Sequence, residues 1–384
     1  MIKITASTAS TASTAMLVVG LMCFLFSSTA VSSTFDLPQD DSTVVGSIRV
    51  LLPSRENTLV DIARNFDLGY HEITWANPGV DIWLPGEGVE VVVPTQFVLP
   101  PKPWRGIVIN IPQRRMFYFP LAEKGKRGQV ITMPVSIGRE GWPTPLGDTT
   151  VVAKHRDPAW FVPPSIRREK REDGVPDFPV YFPPGPDNPM GMLAIQTGFK
   201  GIFIHGTNRP WGVGMRVSHG CLHLYPEDAA TIFPLVKAGI PVRVIDQPVA
   251  VGVQAGKLVM ANYEPVSEYG ASENPMTRAV LALSPYLQNK NDEGKLRYEV
   301  DWKRVEAQIN SWQVLPVEIS IDGQTLREKI AKITVELYDL PPYDINANTA
   351  MPPGDALEAD LEAGSEASSE ASSEVSRRDT ENRR

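Results

Sequence analysis

His205 and Cys221 are the residues from which the chemistry of this chain is read. A thiol becomes a useful nucleophile when a neighbour lowers its pKa or accepts its proton. Two histidines stand in position to be that neighbour. His205 ends the strand-like run Gly201-Ile202-Phe203-Ile204 and is followed by Gly206-Thr207, and His219 lies in Ser218-His219-Gly220-Cys221. Gly220 lets the backbone turn tightly and approach a substrate. The backbone N–H groups of Gly220 and Cys221, just ahead of a helix opened by Pro226, are placed to form an oxyanion hole. The loop Thr207–Val217 should lie over or beside the pocket. Two competing readings are a metal site and an inert buried thiol. The group His205, His219, Cys221 and His223 has no paired cysteines and no Cys-x2-Cys spacing, which counts against metal. Ser-His-Gly-Cys is too polar for a core strand, which counts against an inert thiol.

The thiol gains weight from where the chain is sent. Lys3, the apolar run Ala15–Phe26 and the small residues Ser27–Ser33 describe an export signal over 1–33, the competing reading being an uncleaved membrane anchor. Of the two cysteines, Cys23 leaves with the signal, and Cys221 becomes the lone thiol of a protein expected in the periplasm. Exported compartments favour paired cysteines, so a lone one needs a reason.

The chain has 384 residues, 42% of them apolar, enough for two or three domains with real cores. A net charge of -8 argues against nucleic-acid binding. The Pro-rich joint Leu99–Pro103 separates a small unit, 45–98, from a larger block, 104–247. The small unit reads as βααβ: a strand over Ser47–Leu52, helices over Thr58–Phe66 and Tyr70–Ala76, and a strand over Val89–Val93. The larger block reads as mainly β, a sandwich or barrel with one helix over Glu227–Ala238 that Pro234 should kink or shorten. Gly106–Ile111 and Met116–Phe119 should form a hairpin, and Pro158–Gly191 a long proline-heavy loop. Residues 255–346 read as an α/β accessory unit with helices near 276–288 and 302–309. The Ser/Glu/Ala-rich tail 351–384 reads as disordered.

The segment IHGTNRPWGVGMRVSHGCLHL resembles the signature of the L,D-transpeptidase (YkuD-like) catalytic domain, and GIVIN, PVSIGREGWPTPLG, DPAWFVPPSIR and GPDNPMGMLAI extend that resemblance. ENTLVDIARNF, ITWANPGVD and LPGEGVEVVVP resemble a LysM domain, a glycan-binding module, against the bland reading of a generic small α+β unit. The resemblance implies Cys221 as nucleophile and His205 as proton acceptor and donor, oriented by a backbone carbonyl near Gly206 or Thr207. His219, Gly220 and Ser218 would shape the loop and oxyanion site. Candidate substrate contacts are Gly206, Thr207, Arg216, His223 and Trp160, with Arg209 as a further guess; Trp160 and Trp142 could equally be packed loop anchors. One departure stands out: the family usually has Arg two residues after the cysteine, where this chain has His223. No motif gives His71 or His155 a function.

The reaction implied is acyl transfer on peptidoglycan without cofactor or metal. The thiolate takes the tetrapeptide stem as a thioester and releases D-alanine. An amine then resolves it: diaminopimelate of another stem, or a lysine of an outer-membrane lipoprotein. The partners are therefore stem peptides, glycan strands and that lipoprotein. The alternatives are a hydrolase of the same fold and a non-catalytic peptidoglycan-binding protein.

Overall fold

The computed structural model describes residues 33–338 apart from 55–56, 123, 173, 270–272 and 291–293. The expected export signal lies outside the described residues except for Ser33, and the expected tail 351–384 lies wholly outside them.

The site is carried by a mixed nine-stranded sheet. Its first five strands in space are Ser33–Asp36, Gln129–Pro134, Arg115–Phe119, Gly106–Asn110 and Pro241–Ile245. Gly147–Arg156, Leu193–Thr197, Phe203–His205 and Leu222–His223 complete it. The expected hairpin is present, with Gly106 opposite Phe119 and Asn110 opposite Arg115, and Arg114 turning at φ 54°. Period-two alternation splits this hairpin between two cores. Ile107, Ile109, Met116 and Tyr118 face one side, where they meet Ile195, Ile204, Leu222 and the helix residues Ala229, Ile232 and Phe233. Val108, Phe117 and Phe119 face the other and meet Leu51, Leu59, Ile62 and Ile73 of the small unit.

The helix on the first face is Pro226–Leu235, with proline at its first position and Pro234 in its last turn. It stops before the expected Ala238. A second helix, Pro164–Glu172, corrects the expectation of one helix in this block. Only Ile166 and Lys170, four residues apart, are buried on it, so an otherwise charged sequence hides its apolar face.

The small unit folds as the strand Arg49–Pro53, the helices Leu59–Asn65 and Tyr70–Ala76, and the strand Val91–Val93, with the two strands antiparallel. Thr58 and Asp61 close a capping box on the first helix. Arg115 of the large sheet, fully buried, makes two 2.7 Å hydrogen bonds to Glu72 of the second helix. Both ends of the described chain return to these units: Ser33–Asp36 is an edge of the large sheet, and Val335–Tyr338 pairs in parallel with Arg49–Pro53. Between them, Val249–Gln254, Lys257–Asn262 and Gln313–Glu318 form a sheet backed by the helices Pro275–Leu287 and Trp302–Ile309. Its other face, Ala250, Val259 and Ala261, packs on Val44, Ile48 and Val98. The Pro-rich joint thus links units that share cores.

Candidate active site

Cys221 is 1% exposed and sits one residue before the short strand Leu222–His223. That strand runs parallel to Phe203–His205, with Ile204 opposite Leu222 and His205 opposite His223. Ile204 and Leu222 enter the apolar core. Alternation therefore sends His205, His223 and Cys221 to the opposite face. The Cys221 sulfur lies beside the strand that ends in His205, 3.4 Å from the Phe203 nitrogen and 3.8 Å from the Gly201 carbonyl oxygen.

The turn that presents the thiol is fixed by small polar side chains. Ser218 Oγ donates to the Cys221 carbonyl at 2.5 Å and accepts the Gly220 N–H at 3.1 Å. Thr144, fully buried, accepts the Gly138 N–H at 3.1 Å and donates to the Gly220 carbonyl at 3.0 Å. Gly220 has φ 104°, and a Cβ there would lie 3.0 Å from Ile202 Cδ1. The positive φ is what calls for glycine, since the Ile202 methyl could shift by a few tenths of an ångström. The Gly220 N–H is taken by Ser218 in this structure, where that hydrogen shapes the turn.

His205 Nδ1 lies 2.6 Å from the Gly206 carbonyl oxygen, so Nδ1 carries the proton and donates it. Among the described residues Nε2 has no hydrogen-bond partner although it is buried, which leaves its lone pair open. Burial pushes the His205 pKa down to about 4. The ring is thus neutral near pH 7. His223 packs against it with ring centroids 4.6 Å apart, and burial followed by His205 holds His223 well below the ordinary histidine range.

His219 takes a different environment. Its Nε2 lies 3.0 Å from Arg139 Nη2 and 3.2 Å from Glu169 Oε2, and its ring sits 4.3 Å from Trp142 between centroids. A guanidinium can only donate, so Nε2 accepts from Arg139, and Glu169 joins the group through its ion pair with Arg139. Burial, Arg139 and Lys170 push His219 down to about 2.

Part of the segment between Asp157 and Met192 lies against this region. Asn188 Nδ2 donates to the carbonyls of Pro158 at 2.8 Å, Pro183 at 3.1 Å and Phe182 at 3.3 Å. The Met190 carbonyl lies against His205, and Gly191 packs on Gly206 and Thr207, where a Cβ would come within 3.0 Å of both backbones.

A family model for the L,D-transpeptidase catalytic domain (YkuD) matches residues 105–244. The Probable L,D-transpeptidase ErfK/SrfK of Escherichia coli K12 is 34% identical over 310 residues, 79% of this chain and 97% of that one. The chain belongs to the L,D-transpeptidase family. Probable L,D-transpeptidase YbiS of the same organism is 40% identical over 227 residues, 58% of this chain and 72% of the relative. L,D-transpeptidase 3 of Mycobacterium tuberculosis, a solved structure, is 26% identical with a TM-score of 0.27, covering 41% of this chain and 67% of its own.

In this family member the structure gathers Cys221, His205, Gly206, Ser218, Gly220 and His223 at one place, with His219 on the flank. Other expected contacts lie elsewhere. Trp160 is 1% exposed and stacks on Phe182, so it is a loop anchor and lines no groove. Arg216 is held by Glu268 at 2.6 Å and by the Gly138 carbonyl at 3.3 Å, which removes it as a ready partner for a substrate carboxylate. Thr207 Oγ1 accepts the Arg209 N–H at 3.0 Å. Gly206, Thr207, Asn208, Gly191 and Met192 line a cavity of about 750 Å³ next to the His205 strand. Thr144, Arg139 and Glu169 were missed as site residues. Thr144 lay within the PVSIGREGWPTPLG match, but a lone threonine there carries no chemical signal. Among the described residues no group of three or more His, Cys, Asp or Glu is arranged to hold a metal ion.

Proposed function

We propose that this L,D-transpeptidase works in the periplasm on peptidoglycan, with Cys221 as nucleophile and His205 as its base and acid. The supporting observation is the His205 ring: Nδ1 is tied to the Gly206 carbonyl at 2.6 Å, and the buried Nε2 lone pair is left open. A neutral imidazole of that tautomer accepts a proton at Nε2 and returns it from the same atom. Burial disfavours a resting imidazolium, so proton transfer from the thiol accompanies attack.

In the first half-reaction Sγ attacks the carbonyl of the third residue of a tetrapeptide stem while Nε2 takes the thiol proton. Collapse of the tetrahedral intermediate breaks the bond to D-alanine, whose amine receives that proton, and a thioester remains on Cys221. In the second half-reaction an amine attacks the thioester and Nε2 takes its proton. Sγ then leaves and is reprotonated. The acceptor is a diaminopimelate side chain of another stem or a lysine of an envelope lipoprotein. Among this chain's own residues, Ser218, Gly220 and Thr144 keep the thiol in place, and the N-terminal βααβ unit, read as LysM-like, would hold the glycan strand.

The test is incubation of the purified protein, and of Cys221→Ala, with tetrapeptide muropeptides, with and without a lipoprotein carrying a free lysine. Products are read by mass spectrometry. Cross-linked dimers or a peptidoglycan–lipoprotein conjugate are expected from the unmodified protein alone. Tripeptide as the only product would replace transfer by hydrolysis. Unchanged substrate in every reaction would overturn the enzymatic reading.

A further inference from the structure

Asp67 and Asp228 form a buried carboxyl pair where the N-terminal unit meets the helix Pro226–Leu235, at 5% and 2% exposure. The proposed catalytic steps do not use them. Arg115 is close, but its guanidinium is matched bidentately by Glu72 and reaches Asp67 only at the main-chain carbonyl, at 2.7 Å. Arg64 nearby is paired with Glu227 at 2.7 Å. The Asp67 and Asp228 carboxyls are joined by a side-chain hydrogen bond, which needs a proton between them. Asp67 Oδ2 accepts a hydrogen bond from the backbone nitrogen of Ser33 at 2.5 Å.

Two acids in contact inside a protein must share a proton or meet a cation. A neutral amide at Ser33 offers one hydrogen and no charge. Burial and Asp228 accordingly hold the Asp67 carboxyl well above the usual carboxylate range. An α-ammonium on the same nitrogen would supply three donors and a positive charge in place of that shared proton. The residues just ahead fit such an origin. Ala30-Val31-Ser32 places small side chains one and three positions before Ser33, the pattern of an export cleavage site.

We infer that the mature chain begins at Ser33 and that its new α-ammonium binds the Asp67–Asp228 pair. This rests on the export reading above. The covalent step is hydrolysis of the Ser32–Ser33 peptide bond by an export-signal peptidase. Water adds across the amide, leaving a carboxylate on Ser32 and an amine on Ser33 that is protonated near neutral pH. The released end is already in register, since Ser33–Asp36 pairs antiparallel with Gln129–Pro134 and Ser33 faces Thr132. The ammonium thus ties the edge of the large sheet, the N-terminal unit and the helix that follows the Cys221 segment. Processing and final packing become one event.

The full-length chain is expressed in a diderm bacterium, and the periplasmic protein is read by intact mass and N-terminal sequencing. A start at Ser33 is expected. A start at any other residue overturns the inference, whereas an unprocessed chain overturns the export reading beneath it. A second comparison tests the seat itself. A chain starting at Ser33 and one extended by Gly-Ser at that end are melted side by side, each with and without Asp67→Asn. The extension should lower Tm by about 5 °C or more. Asp67→Asn should lower Tm only in the chain that starts at Ser33. Equal Tm for the two starts, or the same response to Asp67→Asn in both, would overturn the ammonium seat.

Discussion

The two flanks of Cys221 both carry buried, neutral histidine, yet they are built on opposite principles. On one side His205 and His223 stack at 4.6 Å between centroids, and the His205 Nε2 is left open. On the other side His219 is enclosed by Arg139, Glu169 and Trp142, and its Nε2 already accepts a hydrogen bond. A ring nitrogen kept open inside a protein is costly and is a place for chemistry. One bound to a guanidinium is occupied, and it anchors the turn that holds Cys221. Sequence distance does not separate these roles: His219 and His223 each lie two positions from Cys221, and His205 sixteen.

The largest expected effect comes from removing that open nitrogen. His205→Gln should slow acylation of Cys221 by about 10²- to 10⁴-fold, the usual worth of a general base. His219→Gln should slow it by no more than about tenfold. Single-turnover rates followed by intact mass make the comparison, and equal losses would mean that the two histidines serve acylation alike.

Acid should come next. The folded His205 has its pKa pushed down to about 4, against an ordinary value of 6.5 in the unfolded chain. Below pH 6.5 the unfolded chain binds a proton that the folded chain refuses. Stability from this residue is therefore fully present above 6.5 and is lost as pH falls toward 4, by roughly 3 kcal/mol. Urea melts of the protein and of His205→Gln between pH 7 and 4 should converge as pH drops. Parallel curves would show that His205 titrates as an ordinary exposed ring.

Thr144→Val tests the support beneath the thiol. It removes a buried hydroxyl bonded at 3.1 Å and 3.0 Å and leaves the Gly138 N–H and Gly220 carbonyl unmatched. A loss of about 1–3 kcal/mol is expected, with a slower acylation rate. The smallest effect belongs to Glu169→Gln. Its carboxylate is 31% exposed, so loss of the Arg139 pair should cost at most about 1 kcal/mol and leave acylation within a fewfold of the parent. A large fall in rate with unchanged Tm would move His219 from anchor to participant.

The hairpin, the βααβ unit, the helix after Pro226 and the strand ending in His205 were all legible, because each is written in a local period or a turn signal. The Cys221 and His205 candidates stand in two short motifs, and what the sequence leaves out is that the two carrying strands pair side by side. The missing features depend on distant partners. Nothing in Ser33–Asp36 or Val335–Tyr338 says which strand each will join, and the registers with Gln129–Pro134 and Arg49–Pro53 come from packing. The helix Pro164–Glu172 stays hidden in the sequence because its charged residues mask the Ile166/Lys170 face. Sequence likewise shows that Gly220 has a backbone N–H but not that Ser218 occupies it.

Peptide mapping of the acyl-enzyme puts Cys221 and His205 to the test together. The protein is mixed with tetrapeptide muropeptide, quenched in acid within the first turnover, digested and read by mass spectrometry. We expect one thioester adduct, on the peptide containing Cys221, abundant in the parent and in His219→Gln, sparse in His205→Gln and absent in Cys221→Ala. Cross-linked product formed by Cys221→Ala, or an adduct on any other residue, would contradict the account.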